Sequence, residues 1–340
     1  MKFNFEATGV GSVPFKDPKT ACRIIFENFH KIPFWPQLPK RSFHESMYAQ
    51  YTEGLPGIVM DEAAKTIHID SERARSEIEK VYEKYLANDL EFFAVTEDRA
   101  AGLYEFMRSF ASMAKGPAFV KGHITGPVSF ALSITDENKR SVIYDKDLFE
   151  VITKALAMKA RWQIRKLKVL SDNVIIFIDE PYLVSIGSSY VNIDAASAAE
   201  KIDEVAAAVR QEGALAAVHC CGNTDWSFVL KRGIDILNFD AYNFVKELSL
   251  YADEVKAFTT GGGIIAWGIV PSSEAIDRES DAGLAERLKL ALGMMASKGI
   301  DKSSIQSIIT PSCGLGSLDE ARAKKIIEST ARLALKMSGR

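Results

Sequence analysis

The chain has 340 residues, 47% of them apolar and 26% charged, with a formal net charge of −3. Those proportions exclude a disordered, collagen-like or low-complexity chain, and the near-neutral balance removes the electrostatic case for a nucleic-acid partner. Four cysteines (Cys22, Cys220, Cys221 and Cys313) are too few for a disulfide scaffold, and two of them are adjacent, so that on a strand they face opposite ways. The opening MKFNFEATGVGSVPF lacks the long apolar core of a secretion signal, and no stretch reaches the roughly 20 apolar residues of a membrane span. The expected location is the cytoplasm, with no membrane partner.

Eight short apolar runs read as strands covered on both faces: residues 5–12, 32–37, 118–125, 174–180, 215–221, 236–242, 264–270 and 305–310. Helical spacing marks 147–170, with Asp147 as the expected N-cap, and 195–212, with Asp194 before it and Gly213 after it. Similar patterns cover 284–298 and 318–338. Strands that alternate with helices predict an α/β fold, a (β/α)8 TIM barrel of one domain over 1–340. A doubly wound open sheet shares the same periodicity. Residues 38–117 form an insertion between strands two and three, within which 57–70 reads as a small hairpin over the barrel end. Residues 126–146 read as a loop with a short helix above the site.

Barrel enzymes place their chemistry at the C-terminal strand ends. Those ends carry Gly11-Ser12, Pro36-Gln37, Thr125-Gly126-Pro127, Asp179-Glu180-Pro181, His219-Cys220-Cys221-Gly222, Asp240, Pro271 and Cys313. The strongest feature is His219-x-Cys221 with a distant Cys313. Residues i and i+2 of a strand share a face, so His219 and Cys221 project together while Cys220 points away. Cys313 follows the eighth strand, which a closed barrel brings to the same centre. Two thiolates and one imidazole suit Zn²⁺ and leave one position open for catalysis. Taken singly, His219 would read as a hydrogen-bonded core histidine and Cys313 as a small residue in a turn.

In order along nearly the whole chain, Thr8-Gly9-Val10-Gly11-Ser12, Thr125-Gly126-Pro127, Ile178-Asp179-Glu180-Pro181, His219-x-Cys221 and Pro311-Ser312-Cys313-Gly314-Leu315 resemble the catalytic barrel of cobalamin-independent methionine synthase. That family shares a superfamily with uroporphyrinogen decarboxylase-like corrinoid methyltransferases, and His219-Cys220-Cys221-Gly222-Asn223 looks more like that branch. The resemblance implies zinc held by His219, Cys221 and Cys313, with Asp240 as the nearest counterpart of a further, longer glutamate ligand. It implies a homocysteine site in which Val10, Gly11 and Ser12 hold the carboxylate and Asp179 the ammonium. Asp179 and Glu180 are the expected catalytic acids, and Glu45 or Glu53 is the expected second acid for the substrate. An amino acid needs an anion nest beside a carboxylate, which agrees.

The implied activity is zinc-dependent transfer of a methyl group to a thiol, most simply homocysteine, to give methionine. The full-length synthase carries a further N-terminal half. This chain starts almost at the catalytic barrel, which favours a methylcorrinoid donor, methylcobalamin free or on a corrinoid protein, over methylfolate. Rival readings are transfer to another thiol such as coenzyme M, a tetrapyrrole decarboxylase, and a non-catalytic zinc or corrinoid-binding protein. Gly261-Gly262-Gly263 precedes a strand and reads as a tight turn rather than a phosphate cradle. Cys22 reads as buried in a helix. His123, inside the third strand near the rim, is the one other histidine near the expected site.

Overall fold

The computed structural model describes residues 2–110, 116–186 and 194–339. Its strands are β1 (Asn4–Ala7), β2 (Ile58–Asp61), β3 (Thr66–Ile69), β4 (Val120–Thr125), β5 (Thr135–Asp136), β6 (Val174–Asp179), β7 (Leu215–Cys220), β8 (Ile236–Phe239), β9 (Ile264–Val270) and β10 (Gln306–Pro311). Seven of them make one parallel sheet, in the order β1-β10-β9-β8-β7-β6-β4. Strands β6, β7 and β9 are buried along nearly their whole length. The helices Lys146–Leu167, Ala195–Gln211, Asp281–Ser297 and Glu320–Met337 cover the outer face, which explains why these strands read as continuous apolar runs. Among the described residues no helix is long and apolar enough to cross a membrane.

The expected eight-stranded barrel does not form. Residues 32–37 make no strand and touch both sheet edges only by isolated bridges, Phe34 to Lys121 of β4 and Gln37 to Ser12 beyond β1. The cause is covalent: Pro33 and Pro36 have no N–H to give to a ladder. Single bonds remain, from Trp35 N–H to the Lys121 carbonyl (3.3 Å), from Lys121 N–H to the Pro33 carbonyl (2.9 Å) and from Gln37 N–H to the Gly11 carbonyl (3.1 Å). The sheet is therefore a half-barrel of seven strands, curled far enough that one proline-containing segment bonds to both of its edges.

Most helix ends fall where the sequence places them. Asp194 accepts from Ala196 N–H, and Gly213 adopts φ +69° after the last turn of its helix. Asp147 is not the cap of its helix; Asp145 is, accepting from the N–H groups of Asp147 and Leu148. The hairpin is present as antiparallel β2 and β3, with Ile58 opposite Ile69, and β5 adds to it in parallel. Gly262, at φ +95°, turns the chain from the helix Ala252–Thr260 into β9, so the triple glycine is a turn.

The inner face of the sheet changes character along the strands. Ile175, Phe177, Ala217, Ile236, Ala266 and Ile308 form an apolar cluster near the strand starts. Two residues further on, the same faces carry Asp179, His219 and Asn238, and Thr310 follows Ile308.

The helix Ala101–Ser109 holds the proline segment from outside. A Cβ at Gly102 would lie 1.8 Å from the Pro36 carbonyl oxygen. Gly102→Ala is expected to destabilise the protein by about 1–3 kcal/mol, as overpacking does. A urea midpoint equal to that of the wild type would show that the segment is not clamped there.

Candidate metal centre and substrate cavity

Strand alternation sets the first two ligands. Cys220 is fully buried in the outer core, and its Sγ donates to the Gly222 carbonyl (3.5 Å). His219 and Cys221 face the other way and meet Cys313, with one ligand atom of each within 4.8 Å of the others. Cys313 is held by backbone. Ser312 N–H donates to the Val270 carbonyl (2.8 Å), and Ser272 Oγ donates to the Cys313 carbonyl (2.8 Å). The next residues lean on Ser12: Leu315 N–H donates to its carbonyl (2.8 Å) and Gly316 N–H to its Oγ (3.2 Å). A Cβ at Gly314 would lie 2.3 Å from Ser12 Oγ, so only glycine allows this approach.

The chemistry of the imidazole is fixed by a neighbour. Asn238 Nδ2 lies 2.9 Å from the Ala266 carbonyl, which can only accept, and 2.8 Å from Thr310 Oγ1. Its Oδ1 therefore faces His219 Nδ1 at 2.6 Å, and Nδ1 must carry the proton. In the neutral ring Nε2 therefore keeps the lone pair, the form a metal ligand needs. Hydrogen bonding from Cys313, outweighing burial, and then His219 push the Cys221 thiol down to about 4. The same contact with Cys221, together with burial, pushes Cys313 upward. Burial disfavours a charged His219, but Cys221 and Asp179 raise it overall. The pair thus favours a proton shared towards Cys313 and negative charge on Cys221, which suits a soft divalent cation.

These three residues line a cavity of about 420 Å³. Val10, Ser12, Gln37, Lys40, Met47 and Asp179 also line it. Asp179 stands beside His219 in register, and one carboxylate oxygen, Oδ1, is buried without a partner. Burial pushes its carboxyl up to about 6, against the pull of His219 and Lys121. Cys313, Gly314 and Gly316 place the β10 loop on the same wall as Ser12.

The structure brings His219, Cys221, Cys313, Asp179, Val10 and Ser12 together, with Gly11 between the last two. It does not bring the other expected acids there. Both oxygens of Glu180 accept backbone N–H groups, from Val128 (2.9 Å) and Ser129 (2.7 Å), at the start of the helix Pro127–Ser133. A Cβ at Gly126 would strike that carboxylate at 2.2 Å, so the Thr-Gly-Pro motif is the seat of Glu180. Asp240 caps the helix Ala241–Leu248, with Oδ1 accepting from Asn243 N–H (3.0 Å) and Oδ2 from Asn243 Nδ2 (2.7 Å). It is not part of the ligand cluster. Glu45 accepts from Ala101 N–H (2.7 Å) and pairs with Arg41. Glu53 accepts from Thr96 and pairs with Arg99. Neither lines the cavity.

Sequence reasoning missed Asn238 and Lys121, and placed Gln37 at a strand end without giving it a role. Lys121 is wholly buried; its Nζ donates to the Val10 carbonyl (2.5 Å) and sits 4.0 Å from the Phe177 ring centroid. Burial drives its ammonium down to about 7. It tethers the Val10–Ser12 turn from below. The alternation Lys121, His123, Thr125 inside an otherwise apolar strand was the available signal. His123 stacks on Trp35 at 4.0 Å, outside the ligand cluster, and neither ring nitrogen has a partner.

No protein-family model matches the chain, and no curated protein matches its sequence. Solved structures do. A B12-independent methionine synthase from Shewanella sp. W3-18-1, in complex with selenomethionine, is 13% identical over 98% of this chain and 97% of its own, with a TM-score of 0.57. A methyltransferase from Methanosarcina mazei is 13% identical over 97% of this chain and 94% of its own, with a TM-score of 0.56. At that identity the likeness is one of fold.

The thiolate assignment is open to direct test. In metal-free protein, iodoacetamide should alkylate Cys221 readily at about pH 6, where an ordinary thiol is almost wholly protonated. Loss of that reaction below about pH 8 would show that Cys221 has an ordinary thiol pKa.

Proposed function

We propose that this protein is a zinc-dependent methyltransferase that methylates a thiol, with homocysteine as acceptor and methionine as product. The observation that carries the reading is the His219, Cys221 and Cys313 cluster lining a substrate-sized cavity, with His219 Nδ1 committed to Asn238. Three protein ligands leave a fourth position free, the pattern of a catalytic rather than a structural zinc. When bound there, zinc lowers the pKa of a thiol that enters the free position. The two structural neighbours, a methionine synthase and a methyltransferase by description, agree with this reading.

The chain's own residues bind and orient. Asp179 offers a desolvated carboxylate to the acceptor's ammonium. Among the described residues no protein acceptor is found for the N–H groups of Val10, Gly11 and Ser12, which suits a carboxylate. Lys121 holds that turn in place through the Val10 carbonyl. Fixing both ends of the acceptor supplies proximity as well as affinity. In the transfer an S–CH3 bond forms and the donor's bond to the methyl carbon breaks. The acceptor's thiol proton leaves to solvent, and no covalent enzyme intermediate is needed. A methylcorrinoid is the proposed donor, with methylfolate as the alternative.

Purified protein is expected to carry about one zinc per chain, and Cys221→Ser or Cys313→Ser to lose it. Asn238→Leu should weaken zinc binding about 10–100-fold by removing the group that orients His219, and, because it also strips the Ala266 carbonyl and Thr310 Oγ1 of their partner, lower the urea midpoint as well. The decisive assay offers methylcobalamin or methyltetrahydrofolate as donor, and homocysteine or coenzyme M as acceptor. Methionine from either donor supports the proposal. Turnover only with coenzyme M, or full zinc retention in both cysteine variants, would sink it.

A further inference from the structure

We infer that Gln37 is the second acceptor for the ammonium of the thiol substrate, and that Gln50 fixes it in that sense. The inference rests on the reading of the cavity as an amino-acid thiol site. It concerns a residue that is neutral and stands in no acidic motif.

The two ends of an amide have the same shape, so partners decide which way it faces. Gln50 lies 2.7 Å from the carbonyl of Arg99, which can only accept, so Gln50 turns its Nε2 there. Its Oε1 then faces Gln37 at 2.8 Å, and that oxygen can only accept. Gln37 must therefore turn Nε2 towards Gln50. Its own Oε1 is left at the cavity, where it meets no protein donor among the described residues and is not among the sealed, unpartnered atoms. Both side chains are nearly closed off from solvent, at 6% and 0% exposure. A flip of either amide would set oxygen against oxygen without water to relieve it.

Position agrees with orientation. Gln37 N–H donates to the Gly11 carbonyl, and Val13 N–H donates to the Gln37 carbonyl (2.9 Å). An oriented acceptor thus sits beside the turn proposed to hold the carboxylate. The ammonium and carboxylate of an amino acid leave the same carbon, so their receptors must be neighbours. Asp179 supplies the charge for the ammonium and Gln37 supplies direction. Lys40, whose Nζ donates to the Leu318 carbonyl, is the one lysine or arginine on the cavity wall among the described residues and marks where an ammonium is disfavoured. An acceptor without an ammonium would leave both oxygens dry and unpaired, which is how a site built on hydrogen bonds rejects an analogue.

The test is equilibrium binding by calorimetry to the protein as purified, with methionine and with 4-(methylthio)butyrate, which lacks only the ammonium. Gln37→Leu should weaken methionine roughly tenfold or more and leave 4-(methylthio)butyrate unchanged. Gln50→Leu, which frees the amide to turn, should give a smaller loss in the same direction. In the transfer assay the KM for homocysteine should rise while the KM for the donor and the zinc content stay put. Equal losses for both ligands would reduce Gln37 to a packing residue and overturn the inference, as would wild-type methionine affinity in Gln37→Leu. Either result leaves the zinc methyltransferase reading intact. Wild-type protein that binds no methionine would overturn the amino-acid reading and this inference together.

Discussion

A polar side chain that points inward from this sheet has no bulk water to turn to, and leaving it unpaired costs on the order of 1–3 kcal/mol. That constraint orders the interior. Asn238 uses its amide on Ala266, Thr310 and His219 at once. Gln163 accepts from Trp35 Nε1 and His123 N–H and donates to the His123 carbonyl. Gln50 and Gln37 repeat the pattern. In each chain a backbone carbonyl, which can only accept, ends the relay and so sets the direction of every bond before it. Two of these relays end at the cavity, one on the imidazole that is proposed to ligate zinc and one on an oxygen proposed to read the substrate.

The exceptions to that constraint are as informative as its satisfaction. Among the described residues the sealed, unpartnered oxygens and nitrogens include Thr8 Oγ1 just beyond β1, both ring nitrogens of His123 in β4 and Asp179 Oδ1 at the end of β6, besides Glu45 Oε2, Ser133 Oγ, Trp226 Nε1 and Glu247 Oε2 elsewhere. Asp179 titrates near 6 in the folded state, above its ordinary value, because burial disfavours its charge. The unfolded chain releases that proton at lower pH, so ionising Asp179 destabilises the fold as pH rises from about 4 to about 6, and the loss persists above. A group kept at that expense is explained by a cation that arrives later. In the proposed function that cation is the substrate's ammonium.

Much of this site was legible in the sequence because strand periodicity is rigid. His219 and Cys221 share a face with Cys220 between them on the other, and that alternation needs no tertiary information. Cys313 was legible only through its motif, since its place depends on Ser272 and on glycine-permitted contact with Ser12. The expected acids that lie apart from the cluster share one feature. Glu180 and Asp240 follow strands directly, Glu45 and Glu53 lie among the short turns of the insertion, and all four carboxylates serve as receptors for backbone N–H groups. Sequence shows a carboxylate there but not which donor has claimed it. Asn238 and Lys121 were missed, and Gln37 was left without a role, because a neutral amide or a buried lysine carries no sequence mark of its partner.

The failure of the second strand is best understood as part of the site. A regular strand over 32–37 would need N–H groups that Pro33 and Pro36 lack, and its side chains would alternate strictly between core and interior. With the prolines, the segment bonds to β4 and to the chain beyond β1 at separate points and keeps only Gln37 in register with Ser12. Phe34 and Trp35, consecutive residues, are both buried. The helix Ala101–Ser109 presses on the segment through Gly102. Two backbone bonds, Gln37 N–H to the Gly11 carbonyl and Val13 N–H to the Gln37 carbonyl, hold Gln37 beside Ser12 at the cavity wall, and the helix packs on the neighbouring Pro36. The open seam of the half-barrel therefore coincides with the wall where the substrate's two charged groups are proposed to bind. A conservative restoration of the ladder by replacing the prolines would be expected to regularise the strand at the expense of that wall.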